Sequence, residues 1–353
     1  MSTRRITEHD VPALALGCAL LGTGGGGGVE PEVLATTRAL REHGPVPVVT
    51  LADLADDDLI LPLSAIGAPT VAAELLPSGA EAGAIRRVVE ARYGRAVAAV
   101  MATEIGGANG VAPVGWAAGL GLPLLDADGM GRAFPELQMV SMNVAQIPPS
   151  AVVLADTVGN VATLDTVDAD WAEQWARALC VASGSSAVLA DFVMTAAQAR
   201  TGVIAGSVSR ALRLGTLLRE AADPLPALIA ELGAAHLVTG KVAAVARRTE
   251  GGFVHGTATV RGTGPYTGTE VVLDLQNENL RARQDGRVLA VVPDLIAVVD
   301  AYTGVAVATE SLRYGQRVAV LSWACDPIWR TPRGLALAGP AAFGTDLGAA
   351  DAS

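Results

Sequence analysis

An N-terminal three-layer α/β domain with a mainly parallel sheet, followed by a C-terminal domain with helices and a small β-barrel, is the fold this sequence predicts. Three observations lead there. Short apolar runs alternate with helical stretches over the first half of the chain, which is the pattern of a parallel sheet covered on both faces. After His236 the segments become short, β-rich and separated by turn residues. A chain of 353 residues, 51% hydrophobic and 17% charged, is also too long for one ordinary core and too apolar for disorder. The division expected is 1–165 and 166–353, with the helical stretch between 166 and 235 able to pack with either half.

Thr7-Glu8-His9-Asp10 reads as a capping box ahead of the apolar stretch Val11 to Leu21, so a helix enters the glycines at 22–28. Those glycines cannot hold a helix, and Pro31 suits the first turn of a second one over Glu30 to His43. Val46–Leu51 and Leu59–Leu63 read as strands, Ser78-Gly79-Ala80-Glu81 as another capping box before a helix that stops at Tyr93-Gly94. A buried strand over Arg95–Met101, a small-residue helix over Ala108–Gly119 and a strand over Leu122–Leu125 continue the alternation, and Val152–Leu154 and Val161–Leu164 add strands. Helices are expected over Asp168–Ala182, Ser207–Ala222 and Pro224–Leu232. The β-rich half follows, with strands over Val242–Arg247, Gly252–Val260, Thr269–Leu275, Val288–Val292 and Arg317–Trp323, broken at turns such as Gly251-Gly252 and Asp285-Gly286. The last ten residues read as a loose tail.

Composition excludes several function classes. A net charge of −11 disfavours a nucleic-acid partner, whose affinity comes from Lys and Arg displacing counterions. No window reaches 18 uninterrupted apolar residues, so no membrane partner is expected. Arg4 and Arg5 are followed by Glu8, His9 and Asp10 before any apolar run, unlike a signal peptide. Cys18, Cys180 and Cys325 lie far apart, which supports neither a disulfide framework nor a thiolate zinc site and points to a cytoplasmic setting. The high apolar fraction suggests a homo-oligomer.

Chemistry concentrates in two loops that follow strands, where ligands bind an open parallel sheet. One is Thr103-Glu104-Ile105-Gly106-Gly107-Ala108-Asn109, the other Asp126-Ala127-Asp128-Gly129-Met130-Gly131-Arg132-Ala133-Phe134-Pro135-Glu136. Glycine beside a carboxylate lets backbone approach a ligand, and carboxylates sharing a pocket push their pKa values apart, so one serves as acid and another as base. Each residue also has a structural reading: an Asx turn at Asp126–Gly129, a cap at Glu104, a loop-closing salt bridge at Arg132. Asp126, Asp128 and Glu136 offer hard oxygen ligands that leave a divalent metal open, without EF-hand spacing; no other cofactor is predicted. Gly22, Gly24 and Gly27 match GxGxxG formally, but a capped helix precedes them where a dinucleotide site needs a strand. The glycines then form a helix–helix turn, or a loop whose amides face an anionic or carbonyl ligand. In the β-rich half, Gln276-Asn277-Glu278-Asn279 reads as a solvated turn or as donors and acceptors presented to a polar heterocycle or to the other domain.

Taken together, Leu20-Leu21-Gly22-Thr23-Gly24-Gly25-Gly26-Gly27, Glu104-Ile105-Gly106-Gly107-Ala108-Asn109, the long loop from Asp126 to Glu136, Gln276-Asn277-Glu278-Asn279-Leu280, Val292-Pro293-Asp294-Leu295-Ile296 and Gly339-Pro340-Ala341-Ala342-Phe343-Gly344 form a pattern. The chain resembles the S-methyl thiohydantoin desulfurase family over nearly its whole length. That family commonly has an aspartate and proline directly after the glycines, whereas here Gly28-Val29-Glu30-Pro31 follows, with Glu30 the substitute. The resemblance implies hydrolysis of an S-methyl thiohydantoin-type heterocycle to a hydantoin with release of methanethiol, and a possible hydantoinase-type partner. A hydrolase of hydantoin or another cyclic amide, and a non-catalytic subunit of a hydantoinase-type complex, are the alternatives. For that reaction, residue chemistry offers Glu104 or Asp128 as general base and Asp126 as the acid. Thr23, Gly24, Gly25, Gly26, Gly107, Asn109, Arg132, Glu136, Asn277 and Glu278 are the candidates for binding substrate, Arg132 or the glycine amides holding negative charge.

Overall fold

The computed structural model describes residues 4–67, 77–250 and 253–343; the turn expected at Gly251-Gly252 and the tail expected over the last ten residues lie outside them. Asp10 Oδ2 accepts from the N–H of Thr7 at 2.8 Å and from its hydroxyl at 2.7 Å, but the Asp10 N–H donates to the Thr7 carbonyl and not to its hydroxyl, so only half of the expected box forms, as a turn just ahead of helix α1 (Val11–Leu21). The glycines separate α1 from α2 (Glu30–His43). Strands β1 (Arg5–Ile6), β2 (Val46–Val49), β3 (Leu59–Gly67), β4 (Val97–Ala102) and β5 (Leu124–Asp128) alternate with α2, α3 (Glu81–Tyr93) and α4 (Ala108–Leu120). A short α5 (Ser141–Val144) precedes β6 (Val152–Asp156) and β7 (Val161–Leu164); then come α6 (Ala169–Ala182), β8 (Ser186–Ala190), β9 (Met194–Thr195), α7 (Ala196–Gly202), β10 (Ile204–Ala205), α8 (Ser207–Glu220) and α9 (Pro224–Leu232).

The first sheet runs β1-β2-β5-β4-β3-β8-β6-β7, with β9 and β10 pairing β3 and β5. Its centre, β2, β5, β4 and β3, is parallel as expected. The far half is antiparallel, which corrects the expectation of a mainly parallel sheet to a mixed one. The tight turn between β6 and β7 explains part of this: Asp156 Oδ1 accepts from the N–H groups of Val158 and Asn160, and so short a connection can join only antiparallel strands.

Helix α8 lies on α1 at very close range. A Cβ at Gly17 would stand 1.8 Å from the Ala211 carbonyl oxygen, and one at Gly215 1.6 Å from that of Ala13. The residues between 166 and 235 thus pack with the first sheet, and the all-β unit starts at Ala235. It comprises β11 (Ala235–Glu250), β12 (Phe253–Gly262), β13 (Glu270–Gln276), β14 (Glu278–Gln284), β15 (Arg287–Val291), β16 (Leu295–Asp300) and β17 (Arg317–Trp323), and α10 (Pro332–Ala338) follows. The order is β15-β14-β13-β12-β11-β17-β16, with every pairing antiparallel. Register shifts, as at Val242/Ala244 and Asp274/Leu275, bend the strands. Its two ends, β15 and β16, do not pair, so the expected barrel is a curled half-barrel.

Alternation along β16 and β17 explains how the two parts hold together. Leu295, Ala297 and Val299, with Ala319, Leu321 and Trp323, join the large core that also contains the first sheet. Ile296, Val298, Val318 and Val320 face a second core inside the half-barrel. Both faces are buried, which is why these segments read as unbroken apolar runs. No helix among the described residues is long and apolar enough to cross a membrane.

Candidate active site

The glycine loop is the clasp between the two parts. The Thr23 carbonyl accepts from both the backbone N–H and the side-chain amide of Asn279, each at 2.8 Å. Next along the chain, the Gly24 carbonyl accepts from the N–H of Thr309 at 2.9 Å, and the Gly26 carbonyl from that of Ala108 at the start of α4, also at 2.9 Å. Thr23 itself lies in the left-handed region with φ 51°. The carbonyls of this loop are thus committed to protein. The N–H groups of Gly26 and Gly27, on its half-exposed lip, have no acceptor among the described residues.

Two glycines fit here for different reasons. A Cβ at Gly25 would stand 2.0 Å from Glu278 Oε1, so the absent side chain makes room for that carboxyl. Gly107 has φ 64° and lies backbone to backbone on Gly26, its ideal Cβ 2.4 Å from Gly26 atoms; only glycine combines that dihedral with that approach.

Around this clasp four carboxyls and one guanidinium are buried: Glu104, Asp128, Asp191, Glu278 and Arg132. Glu104, just past β4, accepts from the Asn109 side-chain amide at 2.7 Å and from the Phe134 N–H at 3.1 Å. Burial holds its pKa well above the usual carboxylate range; the Asn109 donor works against this, and the negative charges of Glu278 and Asp128 add to it. Glu278, from the β13–β14 turn, is pushed by burial up to about 8, with Arg132 opposing, and its Oε2 has no partner among the described residues. Glu104 and Glu278 therefore come from the two different parts of the molecule and couple electrostatically.

Arg132 is the counter-charge. Its Nη1 donates to the carbonyls of Pro293 (2.8 Å) and Asp294 (2.9 Å), its Nη2 to Thr23 Oγ1 (2.9 Å) and its Nε to the Ala133 carbonyl (2.9 Å), and its guanidinium lies 4.5 Å from the centre of the Phe134 ring. Burial lowers its pKa to about 10, with Glu278 the foremost carboxylate holding it up, so it remains a cation at neutral pH.

The two acidic loops do meet. Asp128 Oδ2 accepts from the N–H groups of Ile105 (2.9 Å), Met130 (3.0 Å) and Gly131 (2.7 Å), tying the Glu104 loop to its own. Burial raises Asp128 to about 6, against these three donors. Its place is that of a brace beneath Glu104. Asp126 points elsewhere: Oδ1 accepts from the Ser209 N–H at 2.9 Å and Oδ2 from the Ser209 hydroxyl at 2.6 Å, which binds the first turn of α8. Glu136 stands half-buried beside Gln138, near Glu173 and Arg177 of α6, and burial followed by the Glu173 charge raises its pKa. Asp126, Asp128 and Glu136 thus turn to three different neighbourhoods. No group of three or more His, Cys, Asp or Glu among the described residues could hold a metal ion.

Asn109 belongs to the site through Glu104, and its Oδ1 accepts from the Ala65 N–H at 2.8 Å. Asn277, with φ 55°, closes the hairpin: its side-chain oxygen accepts from the Val254 N–H at 2.9 Å, away from the carboxyl pair. Sequence reasoning missed Asp191. Its Oδ1 accepts from the Thr103 hydroxyl at 3.3 Å, its Oδ2 has no partner among the described residues, and burial raises its pKa to about 7. The available signal was an acid directly after the buried apolar strand Ser186–Ala190. Asn279, in the run expected to present donors and acceptors to the other domain, does so by gripping the glycine loop, and Thr309, expected to be structural, grips it as well.

Comparison with known proteins gives two kinds of match. Family models described as S-Me-THD-like, N-terminal domain and S-Me-THD-like, C-terminal domain match residues 9–166 and 167–351. Among solved structures, the X-ray crystal structure of a protein from Chromobacterium violaceum is similar over 99% of each chain, with a TM-score of 0.82 and 24% sequence identity, a likeness of fold. No curated protein matches.

Proposed function

Since this chain belongs to the S-Me-THD-like family across both of its domains, we propose that it hydrolyses an S-methyl thiohydantoin-type ring to a hydantoin and releases methanethiol. One observation carries the proposal: a pair of buried carboxyls, Glu104 and Glu278, drawn from the two parts of the molecule and coupled beside the glycine loop. Their surroundings suit opposite roles. Burial favours the proton on both, so the reactive form is the fraction in which Glu104 is ionised: its two N–H donors and the Arg132 charge stabilise that carboxylate, whereas Glu278 has an oxygen without a partner among the described residues and retains its proton at neutral pH.

Water adds to the ring carbon that carries the S-methyl group as Glu104 accepts one of its protons. The C–S bond then breaks while Glu278 donates its proton to the departing sulfur. The second proton of the water moves from the new hydroxyl to the ring nitrogen as the carbonyl forms, and Glu104 returns its proton to Glu278 to close the cycle. The N–H groups of Gly26 and Gly27 meet the negative charge that develops on the ring, and Arg132, its donors largely held by carbonyls, acts as a buried positive charge. The acid role given to Asp126 by residue chemistry passes to Glu278 here, because Asp126 is occupied by Ser209.

A thiol assay with S-methylated and plain hydantoins tests this directly. Glu104→Gln is expected to lower methanethiol release by about 10²-fold or more with the fold retained. Activity should fall as pH passes about 8, where Glu278 loses its proton, and Glu278→Gln should be slow with that limb gone. Wild-type release from Glu104→Gln rejects the base; consumption of plain hydantoin without thiol points to a cyclic-amide hydrolase instead.

A further inference from the structure

Helix α6 carries its bulk on the outside. Its buried residues are Ala169, Ala172, Glu173, Ala176 and Cys180, small apart from the acid, and they lie on the first sheet against β3, β6, β7 and β8. Its two largest side chains, Trp171 and Trp175, stand 46% and 48% exposed. Val167, just ahead of the helix, and Val181, in its last turn, are 85% and 65% exposed. A helix that serves one core turns its large apolar residues inward, and α6 does the reverse. The two indoles are already set edge to face, ring centroids 6.2 Å apart, so they have little side-chain freedom left to lose on docking.

The outer face is also uncharged. From Trp171 to Ala182 its exposed residues are Trp171, Gln174, Trp175, Ala178, Val181 and Ala182; the exposed acids Asp168 and Asp170 stand at its N-terminal end only. On α2, by contrast, Glu30, Arg38, Arg41 and Glu42 are exposed. The exposed parts of Val167, Trp171, Trp175 and Val181 amount to roughly 450 Å² of apolar surface, a size at which a patch marks an interaction site and over half of the ~800 Å² that each partner of a stable dimer buries.

We propose that this face of α6 is a two-fold interface between two copies of the chain, with Trp171 and Trp175 as its anchors. Charge and shape select that occupant. Each copy carries −11, so two copies repel where their acidic surfaces approach and meet best on a face without charge. A membrane surface would call for Lys or Arg beside the tryptophans, and the exposed residues of α6 include neither. The face is bulky towards one end and small towards the other: Val167 and Trp171 come before Trp175, Ala178 and Ala182 after it. Two such helices, antiparallel about an axis near Gln174 and Trp175, set each Trp171 against the other copy's Ala178 and each Val167 against its Ala182. Protrusion meets recess twice, as close packing requires. The same order keeps the acids at Asp168 and Asp170 of the two copies at opposite ends.

Sedimentation velocity on the full chain at micromolar concentration tests this, with circular dichroism reporting on the fold of each variant. Wild type is expected as a dimer. W171E/W175E puts four like charges into the interface and should be a folded monomer, its dissociation constant raised by about 100-fold or more. Cysteine trapping reads the geometry while leaving the anchors in place, because the native Cys18, Cys180 and Cys325 are buried. Gln174→Cys, beside the axis, should form a disulfide-linked dimer on mild oxidation, and Ala182→Cys, carried away from its own copy by the antiparallel order, should not. A monomeric wild type overturns the proposal. So does a dimer that the double substitution leaves intact in a folded protein, or one in which Ala182→Cys cross-links as readily as Gln174→Cys. A monomeric wild type that binds a hydantoinase-type subunit or phosphatidylglycerol vesicles through the tryptophans overturns it as well and gives the face another occupant.

Discussion

At the scale of single residues, burial without a charge partner sets the behaviour of Asp191. Its folded pKa is raised from 3.8 to about 7 by desolvation, so between those values the native state keeps a proton that the unfolded chain has lost. Stability from this group is complete below pH 4 and is lost as pH rises through 7. Asp128 and Glu278, raised to about 6 and about 8, act with the same sign. Asp191→Asn removes one such group while keeping its shape. The variant's melting temperature should therefore gain on the wild type steadily from pH 5 to pH 8, by a few degrees at the upper end, as followed by circular dichroism; parallel curves would mean that Asp191 is not the proton holder described here. Glu104 and Glu278 were legible as candidates because acids beside glycines and amides are unusual. The role of Asp126 was not, because its partner, Ser209, stands 83 residues further along and nothing local announces it.

At the scale of elements, the glycine loop divides its work between side-chain room and backbone contact, and two substitutions separate these. Gly25→Ala places a methyl where Glu278 Oε1 now lies, at a residue whose own dihedrals tolerate alanine, so the acid must swing away while the clasp stays. Gly107→Ala instead opposes the backbone of Gly26 at a positive φ, a strain of about 1–3 kcal/mol before the clash is counted. Gly25→Ala should thus lose methanethiol release by about 10²-fold with a small change in melting temperature, and Gly107→Ala should lose stability first; urea unfolding beside the thiol assay distinguishes them, and equal stability losses would undo the division. The sequence conveyed the helices flanking this loop well, through periodicity and the Pro31 signal. It hid β14, whose Glu278–Gln284 run is half charged because Arg281 and Arg283 turn outward to Asp274 on the neighbouring strand. A strand that pairs its charges across the sheet does not look like a strand in isolation.

At the scale of the whole molecule, two cores share β16 and β17, and a composition-based division into halves could not foresee it, because an apolar run buried on both faces carries no record of which core each side chain enters. The seam is closed by one cation. Arg132 belongs to the loop after β5, yet it satisfies the carbonyls of Pro293 and Asp294 beside β16 and the hydroxyl of Thr23 in the clasp, and it offsets the burial of Glu278. Replacing it with methionine keeps much of the volume but leaves those oxygens unpaired and Glu278 without its counter-charge. Breaking a buried ionic network from one side costs about 3–5 kcal/mol, far more than an exposed pair is worth. Because the large core is continuous across the seam, wild type is expected to unfold in a single calorimetric transition. Arg132→Met should lower its midpoint and separate it into two, the half-barrel parting from the first sheet. The thiol assay on the same variant should show activity falling at the lower temperature of the two, since Glu278 leaves with the half-barrel while Glu104 stays behind. A single transition at the wild-type midpoint would mean that the seam is held by apolar contact alone and that Arg132 is a passenger in it.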